Sequence, residues 1–584
     1  MVDAVGTTVY TYDAAGQLLT EDGPFASDTV TNTYANRMRM AMALAQPTGY
    51  WTNGFIYDPA KRLTNVTISA GSFSYQYSTT QHRLVSSLTL PNTSVITNGY
   101  DSVARLLNTS LNNSSGTPLD WYTYVYDPAN ERTNVTRTDS STVAFKYDKI
   151  GQLTNADSSV NSEDRGYAYD AAWNLATRLS NGVSGTFTVE SRNELTNGPS
   201  PIGTCYYDFN GNLTNRNSSH FIYNYDDENR LTHWIHYQSS PSNPTAGDLQ
   251  TVFVYDGKGR LRERFEYDWE CNNGEGPQGI DPDAGGGGSC DWTLLSVTEY
   301  IYDGNRVIQE RDVNNTPLVT YTRGTDLSGT MEGAGGIGGL LARSDGYSGG
   351  NWSTHNYYHA DGNGNITYLV NSGQTVAASY RYDPFGNLIS SSGTYASANL
   401  YRFSSKEVHV ASGMYYYLYR FYDPNLQRWI NRDPIGEIYD VGLYRFVYNE
   451  PINRTDPDGL GPNGSPGYGA GKLCTSKNCN TKKCPVKYLP EDETRWKNGF
   501  LDMPAPGKCA DADAVARPGE YLKIPDNCRV TVECYSEDSW KHDGTAVKGG
   551  LRGFSWTCWG LGPIAIGKVP KPAPVPPFPP SPYP

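Results

Sequence analysis

The sequence lacks a long apolar run and contains little charge. No stretch of the 584 residues is apolar for long enough to cross a membrane, and no signal peptide follows Met1. Asp, Glu, Lys and Arg together make up only 18% of the chain. The eight histidines are scattered, and no His or Cys pair has the spacing of a zinc site. We therefore expect no membrane span, no metal and no cofactor.

Cysteine is scarce before residue 461 and dense after it. Only Cys205, Cys271 and Cys290 precede that point, and the last two flank a Gly-rich loop that they could close. Such density predicts disulfides rather than zinc in the tail, and an oxidising final location. Seven is an odd number, so one tail thiol should stay free or pair elsewhere. The tail cysteines are Cys474, Cys479, Cys484, Cys509, Cys528, Cys534 and Cys558.

Charge follows the same division of the chain. Residues 461–584 carry 16 Lys and Arg against 12 Asp and Glu, which leaves residues 1–460 with 31 against 49. An acidic body is a poor nucleic-acid binder, so we expect no nucleic-acid partner for it. The weakly basic tail leaves that option open.

What the chain does contain is tyrosine, glycine and a repeat. There are 45 Tyr and 60 Gly residues, a composition that favours strands joined by tight turns. A unit of Tyr-Asp, small residues, Gly or Asn, a polar residue and Leu recurs, mostly every 18 to 26 residues in the first half. Examples are YDAAGQLLT from Tyr12, YDPAKRLTN from Tyr57, YDKIGQLTN from Tyr147, YDFNGNLTN from Tyr207 and YDPFGNL from Tyr382.

Each unit is predicted to be a β-hairpin. The residues before Tyr-Asp alternate as a strand, Asp-x-x-Gly makes the turn, and Leu-Thr begins the return strand. A single hairpin is marginal, so neighbouring hairpins should pair edge to edge into one long sheet, which either coils into a closed shell or stays open. A flat array of hairpins and a β-propeller remain alternatives. The first residues already resemble the inside of a repeat, so we expect a fragment or gene end whose export signal lies elsewhere.

The segment from Tyr415 to Leu460 differs from the repeats. It holds two Asp-Pro-x-Gly motifs, beginning at Asp433 and Asp456, and the composition changes directly after the second. Two carboxylates just before such a change suggest self-cleavage, since one of a close pair keeps a proton while the other can activate water. The alternative is structural, because Asp-Pro-x-Gly is also a good type I turn.

The ordered Tyr-Asp series and the 415–460 segment together resemble the RHS (YD-repeat) family. That family includes bacterial polymorphic toxins, Tc toxin C subunits and the YD shell of teneurins. The resemblance implies an all-β fold, in which a long strip of antiparallel hairpins spirals into a hollow shell beside a small Cys-rich C-terminal segment. The implied domains are a repeat shell (1–380), an RHS repeat-associated core that plugs the shell (381–460), a linker (461–471), a variable Cys-rich domain (472–568) and a proline-rich tail (569–584).

The resemblance also implies site residues. Several characterised members of the family cut themselves after the final Asp-Pro-x-Gly-Leu by an aspartyl-protease-like mechanism. Carried over to this sequence, Asp433 and Asp456 are the catalytic pair, Arg420 supports them, and the scissile bond joins Leu460 to Gly461. Between the motifs, Glu437 to Gly442 replace the Gly-rich run that relatives often have.

Two other motifs are interpreted as turns. Gly333 to Gly338 match G-x-G-x-x-G, but the residues that follow are too few for the helix of a dinucleotide site. The stretch from His359 to Asn365 resembles a calcium-loop fragment without its closing acid, and is predicted to be another repeat turn.

The resulting prediction is an exported bacterial shell protein that encapsulates its own C-terminal segment and releases it as a toxin or effector by self-cleavage. It would be secreted or at the cell surface, and its further partners could be secretion-system proteins, cell-surface proteins or carbohydrate. The alternatives are a non-cleaving adhesion or carbohydrate-binding protein and a degenerate gene end with a non-toxic tail. No activity of residues 461–584 can be inferred from their sequence.

Overall fold

The computed structural model describes residues 1–80, 82–271, 290–438 and 440–462, together with seven short strands after residue 484. The chain divides into two compact units, Met1–Ala470 and Gly471–Pro584.

The first unit begins with a 17-stranded antiparallel sheet in which each strand pairs with the next along the chain. Its strands are β1 (Val9–Tyr12), β2 (Leu18–Asp22), β3 (Val30–Ala35), β4 (Met38–Ala45), β5 (Tyr50–Tyr57), β6 (Leu63–Ile68), β7 (Gly71–Tyr77), β8 (Val85–Thr89), β9 (Val95–Tyr100), β10 (Leu106–Asn112), β11 (Pro118–Tyr126), β12 (Arg132–Arg137), β13 (Thr142–Tyr147), β14 (Leu153–Ser158), β15 (Arg165–Tyr169), β16 (Leu175–Ser180) and β17 (Val183–Thr186).

A second meander of 16 strands follows directly and is also antiparallel. Its strands are β18 (Thr188–Val189), β19 (Leu195–Gly198), β20 (Gly203–Tyr207), β21 (Leu213–Arg216), β22 (Phe221–Tyr225), β23 (Leu231–His236), β24 (Leu249–Tyr255), β25 (Leu261–Cys271), β26 (Cys290–Asp303), β27 (Arg306–Arg311), β28 (Pro317–Arg323), β29 (Leu340–Ser348), β30 (Asn351–Ala360), β31 (Ile366–Asn371), β32 (Val376–Tyr382) and β33 (Leu388–Ser392).

The Tyr-Asp unit explains why the strip forms. At most of these units the strand register shifts at the tyrosine, and the Asp carboxylate then accepts N–H groups from residues two and four further on. The residue three after Asp takes a positive φ, which Gly151 adopts freely. Eleven tyrosine hydroxyls each donate to a carbonyl of an earlier hairpin at 2.6 to 3.0 Å: Tyr34, Tyr57, Tyr77, Tyr100, Tyr126, Tyr147, Tyr169, Tyr225, Tyr255, Tyr302 and Tyr382. We call this series the tyrosine ladder.

The second sheet folds back along the first. Side-chain contacts between the two strips join residues 218 to 306 positions apart, and their order is nearly the same along both strips. Buried side chains of both sheets share a hydrophobic cluster, in which Phe73 meets Tyr357 edge to face. Because the strip meets its own continuation, it winds instead of lying flat. The sheets also have far more strands than a four-stranded propeller blade, so both alternatives are wrong.

The chain after β33 forms the core segment. A four-stranded sheet contains β34 (Glu407–His409), β35 (Met414–Tyr416), β36 (Phe421–Asp423) and β37 (Arg428–Trp429). Single 3₁₀ turns occur at Asn161–Glu163 in the first sheet and at Phe403–Ser405, Gly436–Ile438 and Val447–Asn449 in the core segment. Core residues and strands of both sheets share one large hydrophobic cluster, which anchors the segment to the strip.

The second unit is described only by short paired strands. They are β38 (Pro485–Val486), β39 (Trp496–Lys497), β40 (Phe500–Leu501), β41 (Tyr521–Leu522), β42 (Cys528–Glu533), β43 (Gly553–Cys558) and β44 (Gly567–Lys568). The strand β43 pairs with β38 and β42, and the others form two pairs. The proline-rich tail and the side chains of the tail cysteines, on which the predicted disulfides depend, lie outside the described part of the chain.

Three local predictions are confirmed. A disulfide joins Cys271 and Cys290 at the ends of β25 and β26. The Gly333 to Gly338 stretch forms turns between the paired strands β28 and β29, and the turn at Asp361 joins β30 to β31. The domain boundaries stay predictions. The second sheet continues through β32 and β33, beyond the predicted end of the shell at residue 380. No helix among the described residues is both long and apolar enough to cross a membrane.

Candidate active site

Arg420 is the centre of the candidate site, and it is buried between β35 and β36. Its guanidinium lies 4.2 Å from the ring centre of Trp429. It donates to the Leu443 carbonyl at 3.1 Å and, through Nε, to the Gly459 carbonyl. The planar fork of arginine thus fixes two separate loops at once.

Both predicted aspartates meet this arginine. The Nη2 atom of Arg420 lies 2.9 Å from Oδ2 of Asp433 and 4.0 Å from Oδ2 of Asp456. The side chain of Asp456 is 1% exposed and that of Asp433 is 10% exposed. The 23 residues between the motifs therefore bring two carboxylates to one buried cation.

Both aspartates also cap turns, as the structural interpretation of Asp-Pro-x-Gly predicts. Oδ1 of Asp433 accepts the Ile435 N–H at 3.1 Å, and Oδ1 of Asp456 accepts the Gly459 N–H at 2.8 Å. Each aspartate thus caps its own turn with one oxygen. The second oxygen of each faces Arg420, so turn formation and the shared site do not compete.

The scissile bond predicted from the sequence lies against Asp456. The Gly461 N–H donates to Oδ2 of Asp456 at 3.1 Å, and the Leu460 N–H donates to the Asp458 carboxylate at 3.2 Å. The peptide nitrogen between Leu460 and Gly461 is thus in direct contact with one of the two acids. A proton on that acid would need to travel only one hydrogen bond to reach the leaving nitrogen.

Burial sets the protonation of the site. It raises the pKa of Asp433 to about 6, while the nearby Arg420 opposes that shift. Burial also lowers the pKa of Arg420, so for this pair desolvation outweighs mutual attraction. Burial and the adjacent Asp456 raise the pKa of Asp458. The carboxylates of Asp433, Asp456 and Asp458 face two cations, Arg420 and Lys406. With all three carboxylates ionised the cluster would carry one excess negative charge, and one retained proton removes it.

Sequence reasoning missed Lys406, Trp429 and Gly335. The Lys406 ammonium donates to the carbonyls of Gly335 and Pro457, so the Gly-rich turn touches the second Asp-Pro-x-Gly motif. The excess of glycine in that turn was the one available signal. Among the described residues, no group of three His, Cys, Asp or Glu side chains could hold a metal ion.

The fold of this chain is similar to that of solved protein structures. The crystal structure of TcdB2-TccC3 matches with a TM-score of 0.57 at 19% identity, covering 77% of this chain and 24% of that one. This chain has the fold of an RHS-repeat shell. The predicted all-β hairpin strip is thereby confirmed.

Sequence comparison supports the same relationship. The chain is 25% identical over 325 residues to the tRNA nuclease WapA of Bacillus subtilis (strain 168), covering 54% of this chain and 12% of that protein. It is 24% identical over 348 residues to the double-stranded DNA deaminase toxin A of Burkholderia cenocepacia (strain H111), covering 58% and 22%. The chain thus spans less than a quarter of each relative. No family model matches it.

Proposed function

We propose that this RHS-repeat chain is an exported toxin shell that cuts itself between Leu460 and Gly461. The cut would free residues 461–584, the shell's own cargo, as a toxin or effector outside the producing cell. The observation that carries the proposal is the contact of Asp456 with both the Gly461 N–H and the arginine that holds Asp433.

The relatives support a carrier role for the shared region. One is named for a tRNA nuclease activity and another for a double-stranded DNA deaminase activity, and the TccC3 structures include one without a hypervariable C-terminal region. Proteins named for such different activities each match more than half of this chain. The activity of residues 461–584 therefore cannot be carried over from any of them.

The reaction is hydrolysis of one peptide bond. The ionised Asp456 takes a proton from a water that attacks the Leu460 carbonyl carbon, and the protonated Asp433 donates a hydrogen bond to the oxyanion that develops. Asp456 then passes its proton to the Gly461 nitrogen as the C–N bond breaks. The products are a carboxylate at Leu460 and an amine at Gly461, and no co-reactant other than water is needed.

Denaturing electrophoresis of the full chain tests the proposal. Wild type should give two fragments, the smaller one beginning at Gly461 by N-terminal sequencing, while Asp433→Asn and Asp456→Asn should each give one intact band. The matched control is Asp148→Asn, which changes a strip turn of the same type and should leave cleavage unchanged. An intact wild-type band would sink the proposal and favour the non-cleaving adhesion alternative.

The effector role needs its own test. Cells that express residues 461–584 inside the cytoplasm should grow more slowly than cells that express the Asp456→Asn chain, in which the segment stays attached. Equal growth in several hosts would argue against a toxic segment without bearing on the cleavage.

A further inference from the structure

The backbone around the scissile bond is held at three successive carbonyls. The Asp458 carbonyl accepts the Tyr419 N–H at 3.1 Å, and the Gly459 carbonyl accepts Nε of Arg420. The first of the three, Pro457, accepts from the Lys406 ammonium. The next carbonyl after these three belongs to Leu460, which is the one that hydrolysis attacks.

Lys406 is buried and is separate from the cluster of Arg420, Asp433 and Asp456. Its ammonium also donates to the Gly335 carbonyl at 3.0 Å and lies 5.3 Å from the ring centre of Tyr417. A buried ammonium is costly unless its partners are well placed, and here two fixed carbonyls receive it. Lys406 thus ties the Gly-rich turn of the strip to the second Asp-Pro-x-Gly motif of the core.

The close approach of these two loops is visible at Gly335. Its φ is +61°, and a Cβ atom there would lie 1.9 Å from the Pro457 carbonyl oxygen. No side chain other than hydrogen fits that space. Backbone contact on one side and the ammonium on the other leave the Pro457 carbonyl a single position.

The charges around Lys406 come from three elements. Asp456 and Asp458 face it from the core turn, while Arg323 of β28 and Asp326 face it from the strip. Burial lowers the pKa of Lys406 to about 8, and the aspartates counteract that shift. The ammonium therefore stays charged at neutral pH and loses its proton only above it.

We propose that Lys406 is a positioning residue for the self-cleavage, clasping Pro457 against Gly335 so that the Leu460 carbonyl is held for attack. The inference rests on the proposed function and adds to it a residue that touches neither the scissile bond nor the catalytic carboxylates. Holding a reacting group in place accounts for a large part of many rate enhancements, so loosening the clasp should slow the reaction without abolishing it.

The first test measures the cleavage rate when intact chain, purified in denaturant, is diluted into refolding buffer. Lys406→Met keeps the length and removes the charge, and it should slow cleavage about tenfold to a hundredfold, as loss of a charged hydrogen bond does. Lys406→Arg should retain most of the rate. Above pH 8 the ratio of the Lys406→Arg rate to the wild-type rate should rise, because only the lysine loses its charge there. A constant ratio, or an unchanged rate in Lys406→Met, would overturn the clasp.

The second test leaves Lys406 in place. Gly335→Ala should slow cleavage because its Cβ displaces Pro457. Gly329→Ala is the matched control, since Gly329 has a φ of +73° in the same loop but no atom within 4 Å of a Cβ. Equal rates in the two alanine variants would attribute the effect to backbone strain and count against the clasp.

Hydrogen exchange separates failure of the clasp from failure of the proposed function. In the uncut Asp433→Asn chain, adding Lys406→Met should speed exchange of the Gly459 and Gly461 amides while the tyrosine-ladder strands keep their protection. Unchanged exchange refutes the clasp whether or not wild type is cut. If wild type is never cut but exchange does rise, the clasp stands and the cleavage proposal falls.

Discussion

The strip turns and the core turns begin with the same capped aspartate, but they differ in where its second oxygen points. At Asp148 both oxygens stay within the turn: Oδ1 accepts the Ile150 and Gln152 N–H groups, and Oδ2 accepts the Gln152 side-chain amide. At Asp456, Oδ2 instead faces Arg420 and the Gly461 N–H. The turn is a local property of the sequence, whereas the candidate chemistry depends on what distant residues bring to the second oxygen.

The largest effect should come from removing the cation that the core turns share. Arg420→Met leaves two buried carboxylates facing each other without the cation they share, so cleavage should fall at least about a hundredfold. Arg105→Met is the strip counterpart, because Arg105 pairs with the turn residue Asp101 at 2.6 Å near the surface. Cleavage time courses on denaturing gels should show the strip variant cutting at the wild-type rate. Equal loss in both variants would erase the distinction between the two regions.

The second-largest effect should come from breaking an ion pair between the two strips. Arg39 of β4 and Asp303 of β26 pair at 2.6 Å with little exposure. Arg39→Met should lower the free energy of unfolding by about 3 kcal/mol, the lower end for a broken buried pair, because Arg306 still holds Asp303 at 2.7 Å. Urea denaturation measures the change. The control is Arg192→Met, which removes a half-exposed arginine that pairs with Glu190 and Glu194 of its own hairpin. Because Arg432 still holds Glu194 at 3.2 Å, the midpoint should move far less than in Arg39→Met.

Cleavage should also depend on pH through Asp433 of the core. The pKa of Asp433 is raised to about 6, so its protonated form is populated below that pH and is lost as the pH rises through it. If that form is the acid, the rate should fall about tenfold per pH unit above 6. Refolding the intact chain at a series of pH values measures it. A rate that instead increased through pH 6 would make Asp433 the base and exchange the two proposed roles.

The smallest effect should come from a single step of the tyrosine ladder. The Tyr255 hydroxyl donates to the Leu231 carbonyl at 2.7 Å, and Tyr255→Phe should cost about 1 kcal/mol of stability. Thermal unfolding should register that loss while cleavage stays at the wild-type rate. A cleavage defect in this variant would mean that the strip does more than support the core.

The sequence predicts structure made by neighbouring residues better than contacts between residues that are far apart in the chain. The Tyr-Asp spacing predicted hairpins because the turn at Asp148 is made by its own neighbours, and the 13- and 23-residue spacings of the family predicted that Arg420, Asp433 and Asp456 meet. Lys406 could not be found that way. Its partners Gly335 and Pro457 lie 71 and 51 residues away, and nothing in the local sequence around a lone lysine specifies either of them.

The interval at which the strip meets itself constrains how such genes can change. Contacts between the two strips recur at separations of 218 to 306 residues. Insertion or loss of one whole hairpin would move every later contact by one equivalent unit, and the neighbours would find similar partners. Insertion of half a unit would turn the inward-facing side chains of every later strand outward, since one residue of slip reverses the faces of a strand. Lineages of this fold should therefore differ in length by whole repeats.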